Sequence, residues 1–162
     1  MGENLAITSK DYLSLSDGII HFYLPYIPGV LRAEGYIGAM KVSEDVLYSD
    51  HEAENLTVTV DRAILPADGR SVAMIDLVID DKHGRRYMLE DRQVTVTAEG
   101  APVEIRMDNG SSWDTEPFLR TECPTCNGHL LILVKAGTVP GEVKLTLDIT
   151  GFDQREISLR LE

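Results

Sequence analysis

Cysteine is scarce in this chain of 162 residues: there are two, Cys123 and Cys126. A small fold held together by many disulfides is thereby excluded. Aromatic residues make up only 6%, with a single tryptophan. No run approaches the roughly 18 consecutive apolar residues that span a membrane as a helix. Positive charge is also short, since 15 Lys and Arg stand against 27 Asp and Glu, a net charge of −12. A chain this acidic is repelled by phosphate backbones and anionic lipid headgroups, so nucleic-acid and membrane partners are not expected. The first residues, Met-Gly-Glu-Asn-Leu-Ala-Ile-Thr, lack a basic segment followed by an apolar one, so no signal peptide is expected there. There is no glycine-rich phosphate loop, no nucleophile elbow, no Ser/His/Asp grouping and no internal repeat.

What is present is an apolar share of 43%, enough for a core, arranged with a period of two. Val143, Leu145, Leu147 and Ile149 alternate with Glu142, Lys144, Thr146 and Asp148, the pattern of a half-buried antiparallel strand. Ile157, Leu159 and Leu161 repeat it. So do Leu56, Val58 and Val60; Ala73, Ile75, Leu77 and Ile79, with Asp76 outside; Val94, Val96 and Ala98; and Val103, Ile105 and Met107. Leu130–Val134 is apolar on both faces and reads as a central strand covered on both sides. Ala67-Asp-Gly69, Asp81-Lys-His-Gly84, Asp108-Asn-Gly110 and Pro140-Gly141 supply turn chemistry between these runs. Strands recurring every dozen or so residues, with no helix between them, predict an all-β immunoglobulin-like sandwich.

The first 50 residues differ. They hold five of the six tyrosines (Tyr12, Tyr23, Tyr26, Tyr36 and Tyr48) and the prolines Pro25 and Pro28. Short strands fit around Tyr12–Leu15, Ile19–Leu24, Gly29–Gly35 and Met40–Tyr48. Ser43–Asn55 is compatible with a helix but has no 3.6-period apolar face, and Val46 and Tyr48 read as the end of a strand. The polar stretch Asp50–Glu54 marks a boundary, giving a small partial β-sandwich over 1–51 and the Ig-like domain over 52–162. About 50 residues barely bury a core of their own, so the first module is expected to pack on something else. A second copy of the chain, meeting it at the open edge of residues 1–50, is one such partner.

Candidate chemistry concentrates in two places. Cys123-Pro-Thr-Cys126, with His129 behind it, has the spacing of a redox dithiol or of half a zinc site. A redox pair needs its first Cys at a helix N-terminus, whereas a strand follows here. A structural zinc needs four ligands; there is no second Cys pair, and His21, His51 and His83 have no ligand spacing. We read Cys123 and Cys126 as a loop pair, joined as a disulfide in an oxidising compartment, with neither metal nor cofactor expected. Around Trp113 lie Asp108, Asp114 and Glu116. Glycoside hydrolysis needs two carboxylates about 5–9.5 Å apart across the sugar, a distance that spacing along the chain does not reveal, and an acidic loop is by default solvated. Trp113, with Asp114 and Glu116 beside it, is the candidate sugar contact; the competing role for Trp113 is to plug the end of the sandwich. Asp80, Asp81, Asp108 and Asn109 lack the regular spacing of a calcium loop and read as turn residues.

The order of these motifs resembles that of a known domain. Leu56-Thr-Val-Thr-Val-Asp-Arg62, Leu65-Pro-Ala-Asp-Gly69, the alternating strand to Ile79, Asp81-Lys-His-Gly84, Asp108-Asn-Gly110, Glu116-Pro-Phe118, Asn127-Gly128 and the apolar Leu130–Val134 are similar to the Ig-like domain in the C-terminal part of bacterial family 2 glycoside hydrolases, the β-galactosidase group. Leu24-Pro-Tyr-Ile-Pro-Gly-Val-Leu-Arg-Ala-Glu-Gly-Tyr36 is similar to a stretch of the small sandwich that precedes that domain. The Cys pair departs from the family pattern, in which this segment is usually basic. The resemblance implies a bacterial parent enzyme of carbohydrate metabolism that hydrolyses O-glycosidic bonds in the periplasm or outside the cell. It implies that this chain is a part of that parent, whose partners are the catalytic barrel and the other domains of the parent chain. The family's two catalytic glutamates lie in the barrel upstream, so no catalytic residue is expected here. Two other functions fit an Ig-like sandwich: a bacterial surface or adhesion module, and a stand-alone carbohydrate-binding domain. The Leu24–Tyr36 stretch separates the first of these, because an adhesin would place a second Ig-like copy there.

Overall fold

The computed structural model of the chain describes Pro25, residues 29–48 and residues 52–162. The strands expected around Tyr12–Leu15 and Ile19–Leu24 lie outside the described residues. The next two form a hairpin, β1 (Val30–Ile37) and β2 (Met40–Tyr48), with a register shift at Gly35/Tyr36. Its two faces differ. Arg32, Glu34, Lys41 and Glu44 share one and pair across it, Arg32 to Glu44 at 3.1 Å and Lys41 to Glu44 at 2.6 Å. Leu31, Ile37, Met40 and Leu47 are exposed. These two strands make a sheet of their own.

Nine further strands follow, and none of the chain among the described residues is helical. One sheet takes β3 (Asn55–Val60), β5 (Val72–Asp80), β9 (His129–Ala136) and β7 (Val103–Asp108) in that spatial order. The other takes β4 (Ile64–Leu65), β11 (Arg155–Leu161), β10 (Gly141–Ile149), β6 (Gln93–Gly100) and β8 (Glu122–Pro124). All the pairings are antiparallel except the short parallel step of β4 beside β11.

The alternating rows read from the sequence are the inner faces. Ala73, Ile75, Leu77 and Ile79 of β5 and Val143, Leu145, Leu147 and Ile149 of β10 are buried, and with Leu130, Ile132 and Val134 of β9 they form one core. Period-two side chains from both sheets meet in a single apolar layer, which is what makes a sandwich. The expected row on β6 is shorter than read: Val94 and Val96 are buried, while Ala98 is exposed.

One expectation needs correcting. β9 is central, bonded to β5 on one side and β7 on the other, but it is not covered on both faces. Leu131 and Leu133 point away from the core and are half-buried. No second layer lies over them among the described residues; their shielding comes from neighbours on the same face, with Met74 and Arg106 opposite Leu133 in register.

Candidate functional site

The connection from β7 to β8 carries the residues singled out around Trp113, and a chain of short turns builds it. The Asp108 carboxylate accepts the Gly110 N–H at 2.8 Å, and the Asn109 side-chain carbonyl accepts that of Ser111 at 3.0 Å. The Ser111 hydroxyl accepts the N–H of Trp113 at 3.2 Å, and the Asp114 carboxylate accepts that of Glu116 at 3.0 Å. Short polar side chains that bond to backbone two residues on are what fix such a loop without a helix or strand. Asn109 is buried, and its amide donates to the Pro124 carbonyl at 3.0 Å, which ties the start of the loop to β8. Asp108 and Asn109 are thus turn residues, as read.

On this frame Trp113 is 91% exposed. It does not plug the sandwich. Phe118 and Leu119 further along the loop are exposed as well. Asp114 is committed to a two-pronged pair with Arg120, at 3.2 and 2.6 Å, and both side chains are mostly buried. The Arg120 guanidinium, and after it the Glu116 N–H, hold the Asp114 carboxyl below the usual carboxylate range. A carboxylate held ionised by a paired arginine is poorly placed to donate a proton. Glu116 is exposed two residues on. The loop therefore carries an exposed Trp113, an exposed Glu116 and a spent Asp114. Arg120, the residue that decides the state of Asp114, was missed in the sequence; an acid and a base six positions apart give no signal in a loop without periodicity.

The cysteines do not form a site. Cys123 lies on β8 with its side chain in the core, and Cys126 is three residues on, half-buried. An odd offset along extended chain sends the two side chains to opposite faces. The expected disulfide is not formed: both thiols are free. Burial pushes the Cys123 thiol up to about 11, the opposite of a reactive thiolate. His129 does not turn toward Cys123. Its Nε2 meets the Asp76 carboxylate at 2.5 Å, across β9 and β5 on the outer face of the sheet. Among the described residues no three His, Cys, Asp or Glu side chains are grouped to hold a metal ion.

A second built feature lies in the loop after β5. Asp81 is 1% exposed. Its carboxylate accepts the N–H groups of His83 and Arg85 at 2.7 and 3.0 Å and the Arg85 Nε–H at 3.0 Å. Burial pushes the Asp81 carboxyl up, but those N–H groups and the Arg85 charge outweigh it and hold it below its usual range. This too is a turn residue rather than a calcium ligand. At the other end of the sandwich, a shallow depression is lined by Gly69, Pro102, Glu104 and Lys135.

Two sheets closed over one apolar core, antiparallel but for the β4–β11 step, with turn-bound carboxylates and no ligand cluster among the described residues, define an immunoglobulin-like β-sandwich module. Residues 56–158 match the family described as glycoside hydrolase family 2 C-terminal domain 5, and the chain belongs to that family. A β-galactosidase of Bacteroides ovatus is 23% identical over 161 residues, which is 99% of this chain and 19% of that protein. Among solved structures, a glycosyl hydrolase family 2 member from Bacteroides cellulosilyticus matches with a TM-score of 0.66 and 26% identity, over 86% of this chain and 18% of that one. A β-glycosidase from Bacteroides vulgatus shares the fold, with a TM-score of 0.62 and 21% identity over 85% of this chain and 18% of its own. The chain thus spans about one-fifth of the length of the relatives it matches.

Proposed function

We propose that the chain is a non-catalytic accessory domain of a larger family 2 glycoside hydrolase of the β-galactosidase type, a bacterial enzyme acting in the periplasm or outside the cell. One observation carries this reading: the match to a C-terminal domain of that family on a chain one-fifth the length of its relatives. The site geometry supports it. Asp114, the best-placed carboxylate near Trp113, is bound to Arg120, and a retaining or inverting pair needs one carboxyl free to hold a proton. The work left to such a module is mechanical. Its exposed loops and the half-buried Leu131 and Leu133 face would rest against the catalytic barrel and other domains of the parent, fixing their positions.

A second reading concerns sugar. An indole this exposed on a hydrogen-bonded loop has a flat apolar face available for the C–H face of a pyranose, with Glu116 near it to accept a hydroxyl. Titration with galactose, followed by the fluorescence of Trp113, the only tryptophan, separates the two. The scaffold role predicts no saturable change up to high millimolar sugar. A saturable shift that disappears in Glu116→Gln would replace it with sugar contact.

A further inference from the structure

The segment between β2 and β3 is short, residues 49–54, and one loop of the sandwich is bonded on both sides of it. On the sandwich side, the Glu54 N–H donates to the Asp80 carbonyl at 3.0 Å and the Asn55 amide donates to the Asp81 carbonyl at 2.9 Å. On the hairpin side, the guanidinium of Arg85 lies over the ring of Tyr48, 4.1 Å from its centroid. Between these points the loop is closed on itself. The Asp81 N–H donates to the Arg85 carbonyl at 2.7 Å, and the Gly84 N–H donates to the Asp81 carbonyl at 3.0 Å. Arg85 is held edge-on by the buried Asp81, its Nε and one terminal nitrogen each 3.0 Å from the same carboxylate oxygen. A guanidinium whose edge is spent on a carboxylate keeps its flat face for a ring, and its orientation is already fixed before the ring arrives.

We infer that Asp81, Arg85 and Tyr48 form a joint that docks the β1–β2 hairpin of this chain on the end of the sandwich where β3 begins. The occupant is identified by continuity: Tyr48 is the last residue of β2, and Asn55, the first of β3, is bonded to the same loop. The chain therefore leaves the hairpin and enters the sandwich beside one and the same loop. Arginine is required here, because lysine keeps the charge but has no planar face to lay on the ring. This inference stands on the described contacts and does not depend on the parent enzyme proposed above.

Hydrogen exchange across the chain tests it, with Arg85→Lys, Tyr48→Leu and Tyr48→Phe compared with the unchanged protein. Loss of the stacked pair should speed exchange of the Val30–Tyr48 amides by about two- to fivefold, the worth of a partly exposed cation–π contact. β5 and β9 should be unaffected in Tyr48→Leu, and Tyr48→Phe, which keeps the ring, should behave as the unchanged chain. At the hairpin amides, the double variant Arg85→Lys with Tyr48→Leu should exchange no faster than Arg85→Lys alone. Arg85 also neutralises Asp81, so its replacement can loosen the sandwich itself; Tyr48→Leu leaves that pair intact and decides the matter. Unchanged hairpin exchange in Tyr48→Leu would overturn the joint, as would full additivity at the hairpin amides in the double variant.

Discussion

Gly128 offers a test of the packing that holds the loop end together. It forms the tip of the β8–β9 turn with Asn127, and both have positive φ, 68° and 50°. A methyl group added at Gly128 would stand 2.2 Å from the Tyr87 carbonyl oxygen and 3.0 Å from that of Ile79. Neither obstacle is a flexible side-chain end; both are backbone. Gly110 has nearly the same φ, 72°, and nothing within 4 Å of its would-be methyl. Gly110→Ala therefore reports the left-handed conformation alone, about 1–2 kcal/mol. Gly128→Ala pays that and must also displace the turn from the Ile79–Tyr87 backbone. That displacement weakens the Ile79 N–H bond to the Gly128 carbonyl, at 2.8 Å, and the Tyr87 N–H bond to the Ile79 carbonyl, at 2.9 Å. At about 1 kcal/mol net for each bond, the total is about 3–4 kcal/mol, or a drop in Tm on the order of 12–16 °C for a domain of this size. Urea and thermal unfolding of the two variants side by side give the comparison. Equal losses for Gly110→Ala and Gly128→Ala would refute the close approach of the turn to the Tyr87 backbone.

Other expectations are simpler. The raised Cys123 thiol stabilises the fold fully below the unfolded thiol pKa, near 9, and that contribution is lost as pH rises toward about 11; urea midpoints should fall over that interval and fall less in Cys123→Ala, and parallel pH profiles would contradict it. A disulfide-exchange reagent should label one thiol per native chain, Cys126, and two in urea; no labelling before reduction would show the pair oxidised. Asp114 has its carboxyl lowered by Arg120, so its contribution is present above the ordinary carboxylate pKa and lost as pH falls through the lowered one. Asp114→Asn should be less stable than the unchanged chain at pH 7, with the gap closing below about pH 4; a gap independent of pH would speak against the ion pair. Trp113→Ala should leave stability within about 0.5 kcal/mol, because the side chain is exposed; a large loss would mean the indole is packed.

The sandwich was legible because its cause is local and repeated. Val143 to Ile149, Ala73 to Ile79 and Leu56 to Val60 each announce an inner face by alternation, and the Asp-Gly and Asn-Gly turns between them demand positive φ. β4 and β8 were not legible, since two and three residues are too few to show a period. The covering of β9 was misjudged because Leu131 and Leu133 are apolar whether a second layer or same-face neighbours shield them. Around the candidate site, Trp113, Asp114 and Glu116 could be named from composition, but not what engages them. The pairing of Asp114 with Arg120, of Asp81 with Arg85 and of His129 with Asp76 depends on where loops and strands come to rest. Cys123 and Cys126 showed a spacing common to several chemistries, and only the alternation of an extended chain separates their side chains.

Whether this domain lacks hydrolytic chemistry of its own is decided by turnover. The purified chain, at micromolar concentration, is incubated with nitrophenyl β-galactoside and nitrophenyl β-glucuronide, and release of nitrophenol is followed for hours. An accessory domain predicts release no faster than in buffer for either substrate. Release above buffer that is abolished by Glu116→Gln or Asp114→Asn would contradict it and place catalysis on the Trp113 loop.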